Sequence, residues 1–420
     1  MCVRVCVYSI CLSVSICVSM CVCVWTSTQH NPSITFLSDM PLPLESAVLR
    51  VCACCWSADR NDPVQRVQLG VGMAANEDGN PVPMLLNPAL HMGESVLMIA
   101  AGKHHTAMAT DTGSVWTWGQ GKFGALGAPR SCEDKRVPQS VPAALLGAER
   151  AVMVACGHSH TAALTESGVL FTWGLNTNGQ LGNDSTQPQF SPTLVPPKRF
   201  AQQRISLVAL GGSHCAALAG NGRLYMWGMV EHGQLGFDGS EDLLVPRLLK
   251  HQLPVTVASV SCGNMHTAAC SLDGQLWTWG YGGMGQLGTN ERHFRMPPTC
   301  VDLPHLHSRR AVMVACGNSH TCAVCHDGAF YSCGWNLHYQ LGLGDGSVSC
   351  PPPPEFLCFK DDPPQYMFST NNLSIVGRSV ACRIKVRQGK GKDPHCSPMF
   401  STFEVATIGG SLFSSKNRAL

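Results

Sequence analysis

Five histidines carry the clearest chemical pattern in this 420-residue chain: His105, His160, His214, His266 and His320 recur at near-constant spacing. Each is followed at once by a hydroxyl or a thiol, Thr106, Thr161, Cys215, Thr267 or Thr321. A column of imidazoles offers metal ligands or proton carriers. Recurrence once per repeating unit argues otherwise, because it spreads the rings around the fold instead of converging them on one point. A structural role is expected, each ring hydrogen-bonded to nearby backbone at a strand start. His104 and His158 fall outside the repeated column and are expected to be exposed.

Tryptophans form the second set. Trp118, Trp173, Trp227 and Trp279 each precede a glycine, and Trp116 and Trp277 lie two residues earlier, on the same strand face by period two. They could form an aromatic recognition set, but large rings at a repeated strand end mostly pack sheet against sheet, so all six are expected in the core. Cys322 and Cys325 have the spacing of a zinc or redox pair. They fall on a predicted strand just after His320, where alternation points them to opposite faces, so no metal is expected. Cys52, Cys54 and Cys55 have no matching second ligand pair. A phosphate-cradling loop and a Gly-x-Ser-x-Gly nucleophile elbow before a helix are both missing from the sequence. These residues predict no catalytic centre and no cofactor.

The elements that position these residues are repeats. Five segments align without a gap: residues 102–127, 157–182, 211–236, 263–288 and 317–342, with starts 55, 54, 52 and 54 residues apart. Each opens on glycine (Gly102, Gly157, Gly211, Gly263, Gly317) and has its histidine in the fourth column. A turn glycine follows (Gly113, Gly168, Gly222, Gly274, Gly328). Then comes Trp-Gly, ending in Gly119, Gly174, Gly228 and Gly280, or Cys-Gly ending in Gly334 in the last copy. Every unit closes on Leu-Gly, preceded by Gln in all but the first. Within a unit, residues 160–164 and 169–173 are β-prone runs around the turn Thr-Glu-Ser-Gly, which predicts a hairpin. A third apolar run, such as residues 151–155, precedes the hairpin, and a Pro-bearing segment, such as residues 191–195, precedes that run. Three or four short strands per unit of about 50 residues make an all-β fold, a propeller blade or a solenoid turn.

The pattern Gly-x-x-His-Thr, Gly, Trp-Gly, Gly-Gln-Leu-Gly resembles the regulator-of-chromosome-condensation repeat, over roughly residues 96–342. That resemblance implies a β-propeller, seven-bladed in the family, with five clear units here. Gln68-Leu69-Gly70 reads as the end of an earlier, damaged unit: Trp56 lies 14 residues before Gly70, against 9 in the intact copies. The propeller domain is therefore expected over residues 64–355.

The flanks differ in composition. Nine of the 23 cysteines fall in residues 1–60, where Cys alternates with Val. A TG-repeat tract read in frame gives that alternation, so this segment is expected to be translated low-complexity sequence with no stable fold. A secretion signal or membrane anchor is the minor alternative. Residues 356–420 carry a basic patch (Arg378, Arg383, Lys385, Arg387, Lys390, Lys392) and are expected to be a disordered tail. With a net charge of +2 and 13% charged residues, the chain as a whole has no field that selects nucleic acid. Chromatin or nucleic acid is a weak expectation, and a membrane is not expected.

The expected function is a protein-binding scaffold using propeller-face loops, in the cytoplasm or nucleus, possible settings being small-GTPase regulation or a ubiquitin-related complex. The variable stretches between cores, residues 128–150, 183–204, 237–254 and 289–310, are expected to form that face. The resemblance also implies an alternative, guanine-nucleotide exchange on a small GTPase. The uniform spacing between cores leaves no room there for the long wedge such exchange uses. A further alternative is that the chain is part of a larger ubiquitin ligase or kinase that contains the propeller.

Overall fold

In a computed structural model of the chain, residues 84–249, 253–289, 291–301, 309–326, 329–336 and 341 are described, with the backbone of some flanking strands. Each repeat is a four-stranded antiparallel sheet. In the second blade the strands are Ala151–Cys156, His160–Thr165, Leu170–Gly174 and Gln189–Leu194, paired in that order. The other four blades repeat this order. The Pro-bearing fourth strand thus completes the blade before it, not the one after. Edge position suits it, because proline has no N–H to give to a further neighbour.

The core lies between blades. One cluster joins Ala107, Ala109 and Val115 of blade one to Val154, Phe171 and Trp173 of blade two. Others join blades two and three, three and four, and four and five in the same way. Small residues in the second strands, such as Ala162, Ala163, Ala216 and Ala217, are fully buried and let the sheets approach closely. First strands of successive blades lie side by side, as in the 3.5 Å contact from Cys156 Sγ to the Ala100 carbonyl. No single blade could bury its own faces; stacking does it.

The loops divide into two faces. His105 pairs with Gly119 at one end of its hairpin, and Thr110 to Ser114 turn at the other. The face at the His/Gly end carries the loops joining strands one to two and three to four. The turn face carries the hairpin turns and the connections to the next blade. Residues 128–150 therefore do not belong to one face: Lys135–Val141 is the fourth strand, and it carries the chain from one face to the other.

The flanks contain paired strands as well. Ser19–Thr28 pairs with Ala47–Cys54, and Asn31–Ser33 and Met84–Leu85 complete that sheet. In the tail, Ala381–Gln388 pairs with Phe400–Ile408. Residues 383–387, Arg-Ile-Lys-Val-Arg, alternate charged and apolar side chains with period two, which is a strand signal. Gln68, Leu69, Gly70, Trp56 and Gly328 lie outside the described residues.

Candidate interaction face

The histidine column is a joint between blades. His105 Nε2 lies 2.8 Å from Thr161 Oγ1 of the next blade, His214 Nε2 lies 2.9 Å from Thr267 Oγ1, and His266 Nε2 lies 2.9 Å from Thr321 Oγ1. His160 meets Cys215 Sγ at 3.3 Å. The partner is the next blade's hydroxyl or thiol, not the nearby backbone that the sequence suggested. Each hydroxyl then donates to a carbonyl of its predecessor's closing loop: Thr161 to Ala125 (2.7 Å), Thr267 to Gln234 (2.8 Å) and Thr321 to Gln286 (2.7 Å). Cys215 gives its proton to the Gln180 carbonyl at 3.0 Å. With that proton committed, the imidazole must donate from Nε2, which fixes the neutral tautomer.

The tryptophans close the same joint. Trp173 Nε1 donates to the Ala125 carbonyl at 3.0 Å, Trp227 to Gln180 at 2.9 Å and Trp279 to Gln234 at 2.9 Å. In the last copy Cys333 stands where tryptophan would, with Sγ 3.6 Å from the Gln286 carbonyl. Trp118, Trp173, Trp227 and Trp279 are fully buried and Trp116 nearly so. Trp277 is the exception among the six: it is half-exposed, its Nε1 on Gln275 Oε1.

Two glycine columns are explained by crowding. A Cβ on Gly211 would sit 2.5 Å from the Gly263 carbonyl oxygen and 2.3 Å from His214 Cε1, and Gly102, Gly157 and Gly263 are equally hemmed in by the next blade's glycine. Gly317 is pressed by its own His320 ring. Gly119, Gly174, Gly228, Gly280 and Gly334 have φ near +100°, a region that favours glycine. At Gly119, Gly174, Gly228 and Gly280 the pairing to the fourth strand shifts register.

Burial removes these groups from acid–base chemistry. It pushes His105, His160, His214 and His266 down to about 3, and His320 to about 4. Nδ1 of His160, His214 and His266 is buried with no hydrogen-bond partner, so a second proton there would be unsatisfied. Burial likewise raises the thiols of Cys156, Cys215, Cys262, Cys270, Cys316 and Cys333. Cys322 and Cys325 fall in different apolar clusters, on opposite faces of their strand. Among the described residues, no group of three His, Cys, Asp or Glu is placed to hold a metal ion, and no helix is long and apolar enough to cross a membrane.

His104 and His158 are half-buried rather than exposed, because both sit in strand-connecting loops packed at the His/Gly end. Burial takes His158 to about 4, and the charges of Lys103 and His104 add to the effect.

Once the repeated residues are assigned to joints, the unrepeated ones on the His/Gly face stand out. Directly after each Trp-Gly or Cys-Gly come Gln120, Leu175, Met229, Tyr281 and Trp335, one per blade and all half-exposed. Their backbone N–H groups bond to the carbonyls of His104, Ser159, Ser213, Met265 and Ser319, which pins them beside the strand one-to-two loops. Three columns on come Phe123, Asn178, His232 and Met284. The His232 and Tyr281 rings meet across blades three and four at 5.5 Å. Met284 is 46% and Phe294 60% exposed. Apart from Phe294, these positions lie inside the gap-free units and not in the stretches between them. Their signal was the one unconserved column beside Trp-Gly.

Another column was missed. Seven residues before the opening glycine stand Arg150, Arg204 and Arg310. Each reaches back to a hairpin-turn carbonyl of the previous blade: Arg150 to Asp111, Arg204 to Glu166 and Arg310 to Leu272. They latch the turn face.

Repeated four-stranded blades, stacked through joints of one plan, define a β-propeller. Residues 65–383 match the RCC1-like domain, and the chain belongs to that family. It is 37% identical over 251 residues to the ultraviolet-B receptor UVR8 of Arabidopsis thaliana, covering 60% of this chain and 56% of that protein. It is 33% identical over 291 residues to the human E3 ubiquitin-protein ligase HERC2, covering 68% of this chain and 6% of HERC2. The chain thus spans little more than half of one relative and a small part of the other. Among solved structures it superposes on human WBSCR16 with a TM-score of 0.65 at 21% identity, covering 79% of this chain and 81% of that one. It superposes on Prp20p of Saccharomyces cerevisiae with a TM-score of 0.63 at 22% identity, covering 81% and 84%. The latter structure is described together with that protein's binding to Gsp1p and histones.

Proposed function

We propose that this propeller is a protein-binding scaffold that engages its partner through the His/Gly face. The observation that supports this most directly is the division of labour among side chains. The repeated His105, His160, His214 and His266, the hydroxyls or thiol they meet and the indoles of Trp173, Trp227 and Trp279 are taken up in blade-to-blade joints, whereas large unrepeated side chains, Met229, Tyr281 and Met284, are held partly open on one face. Aromatic and methionine side chains on a rigid frame are what protein interfaces use as anchors. Regulation of a small GTPase, or service in a ubiquitin-related complex, is the setting the relatives suggest for that binding.

The test is partner capture by the full chain, with and without Tyr281→Ala and Met284→Ser. Capture should fall at least tenfold while the thermal melt stays within a few degrees. Leu272→Asp, on the turn face where Leu272 is 62% exposed, should change neither. Equal loss from both faces would reject the assignment. Nucleotide exchange is the competing reading, raised by the fold shared with Prp20p, a propeller whose binding to Gsp1p is described. It is tested by release of mant-GDP from a panel of small GTPases, and no acceleration is expected.

A further inference from the structure

We infer that the His/Gly face takes a basic peptide segment, seated over blades three and four with an apolar side chain as its anchor. This rests on the proposed role of that face and adds the chemistry of what binds there.

The loops joining strands three and four are built on one plan, so their charges can be compared. Residues 120–134 hold Lys122, Arg130, Glu133 and Asp134, a net charge of zero. Residues 175–188 hold Asp184 alone, neutralised by Arg199 at 2.9 Å. Residues 281–294 hold Glu291 and Arg292, again zero. Residues 229–242 hold Glu231, Asp238, Glu241 and Asp242 with no Lys or Arg, a net charge of −4.

The scaffold gathers these acids. Asp242 Oδ1 accepts from the Val230 N–H at 3.0 Å, which brings the 241–242 end of the loop against Glu231 at its start. In blade one the same bond runs from the Gly121 N–H to Asp134 Oδ1, but there the neighbours are Lys122 and Glu133, and Glu133 is held by Lys135 at 2.8 Å. Glu231, Asp238 and Glu241 are exposed and take part in none of the ion pairs of the described residues. Arg247, in the strand that follows, is stacked 4.6 Å over the Phe237 ring, and Arg295, whose carbonyl borders Gly233, is paired with Glu291.

The adjoining surface is apolar. The loop crosses to blade four, where the His232 ring meets Tyr281, and Met284 and Phe294 stand exposed. An acidic edge beside an aromatic and methionine floor suits Lys or Arg, whose charged head pairs with carboxylates while its stem or guanidinium lies on the ring. It disfavours an acidic peptide by like-charge repulsion.

The experiment uses the full chain and fluorescein-labelled nine-residue peptides of Lys and Arg around a central Leu, with a Glu version as counterpart. Fluorescence polarisation should show the basic peptide binding at least tenfold more tightly than the acidic one, and weakening as salt rises. Glu231→Lys with Glu241→Lys should cost at least tenfold. Glu166→Lys, on the turn face, should leave binding unchanged. Exchanging the central Leu for Ser should lose affinity in the wild type but not in Met284→Ser. Equal binding of both peptides, or indifference to the Glu231 and Glu241 reversals, would overturn the inference. So would self-association abolished by the same reversals, since the occupant would then be a second copy. If Tyr281→Ala with Met284→Ser abolishes partner capture but the basic peptide fails to bind, the face stands and only its chemistry is wrong.

Discussion

At the scale of single residues, the joint explains why the most conspicuous side chains are not reactive. Thr267 both accepts from the His214 ring and donates to the Gln234 carbonyl, so Thr267→Val leaves the buried His214 Nε2–H without a partner, while the Gln234 carbonyl keeps the Trp279 indole. Such a loss costs about 1–3 kcal/mol for each orphaned group. Chemical denaturation should show a fall of about 1–3 kcal/mol, against about 0.5 kcal/mol or less for an exposed threonine such as Thr186. Glycine gives a sharper contrast. Gly211→Ala drives a Cβ to 2.5 Å from the next blade's backbone, whereas a Cβ on Gly220 would find nothing nearer than 3.8 Å. The first should lose more than about 2 kcal/mol and the second stay within about 0.5 kcal/mol in the same assay. The identity of these columns was legible in sequence; their partners were not. A histidine that bonds 53 residues along the chain looks, in one dimension, like a histidine that bonds its neighbour.

At the scale of strands and loops, the sequence showed hairpins and an apolar first strand because β-branched runs and turn glycines are local signals. The ownership of the fourth strand was hidden, since a Pro-bearing edge strand is equally close in sequence to two blades. That ambiguity also misplaced the variable face: residues 183–204 contain the strand Gln189–Leu194, which sends the two halves of the segment to opposite ends of the blade. The arginine latch is an element-scale device, since Arg204 ties the first strand of blade three to the hairpin turn of blade two. It is exposed, so Arg204→Ala should cost only about 0.5–1 kcal/mol globally. Amide exchange should reveal the loss more clearly, with faster exchange at Glu166 and Gly168 and little change at Ala162.

At the scale of the whole molecule, the five buried rings give the fold a shared dependence on acidity. Their folded values are about 3 to 4, below the roughly 6.5 of an exposed imidazole. Between those limits the unfolded chain binds more protons than the folded one, so stability falls as the pH drops through that range. Each histidine contributes a slope of about 1.4 kcal/mol per pH unit there and nothing above neutrality. Urea midpoints should hold steady from pH 8 to 7 and decline steeply between pH 6 and 4. His214→Gln should make the decline shallower. A flat profile through that range would contradict the buried neutral joint. The five-unit propeller was legible at this scale because the repeat is regular. The face was not, because its location depends on which ends of the strands point the same way.

The joint has a direction: each blade lends its hydroxyl and indole backward to the loop of its predecessor, and offers its own imidazole and loop carbonyl forward. Each boundary between the described blades follows one plan, turned the same way, with Cys215 standing for a threonine and Cys333 for a tryptophan. A gene that gains or loses one unit of 52 to 55 residues gains or loses one matched boundary and creates no mismatched one. Blade number can then drift between descendants without any new interface having to be invented. Meanwhile the half-open column beside Trp-Gly, whose side chains stand apart from the histidine and tryptophan joints, is free to be rewritten blade by blade for whatever each descendant binds.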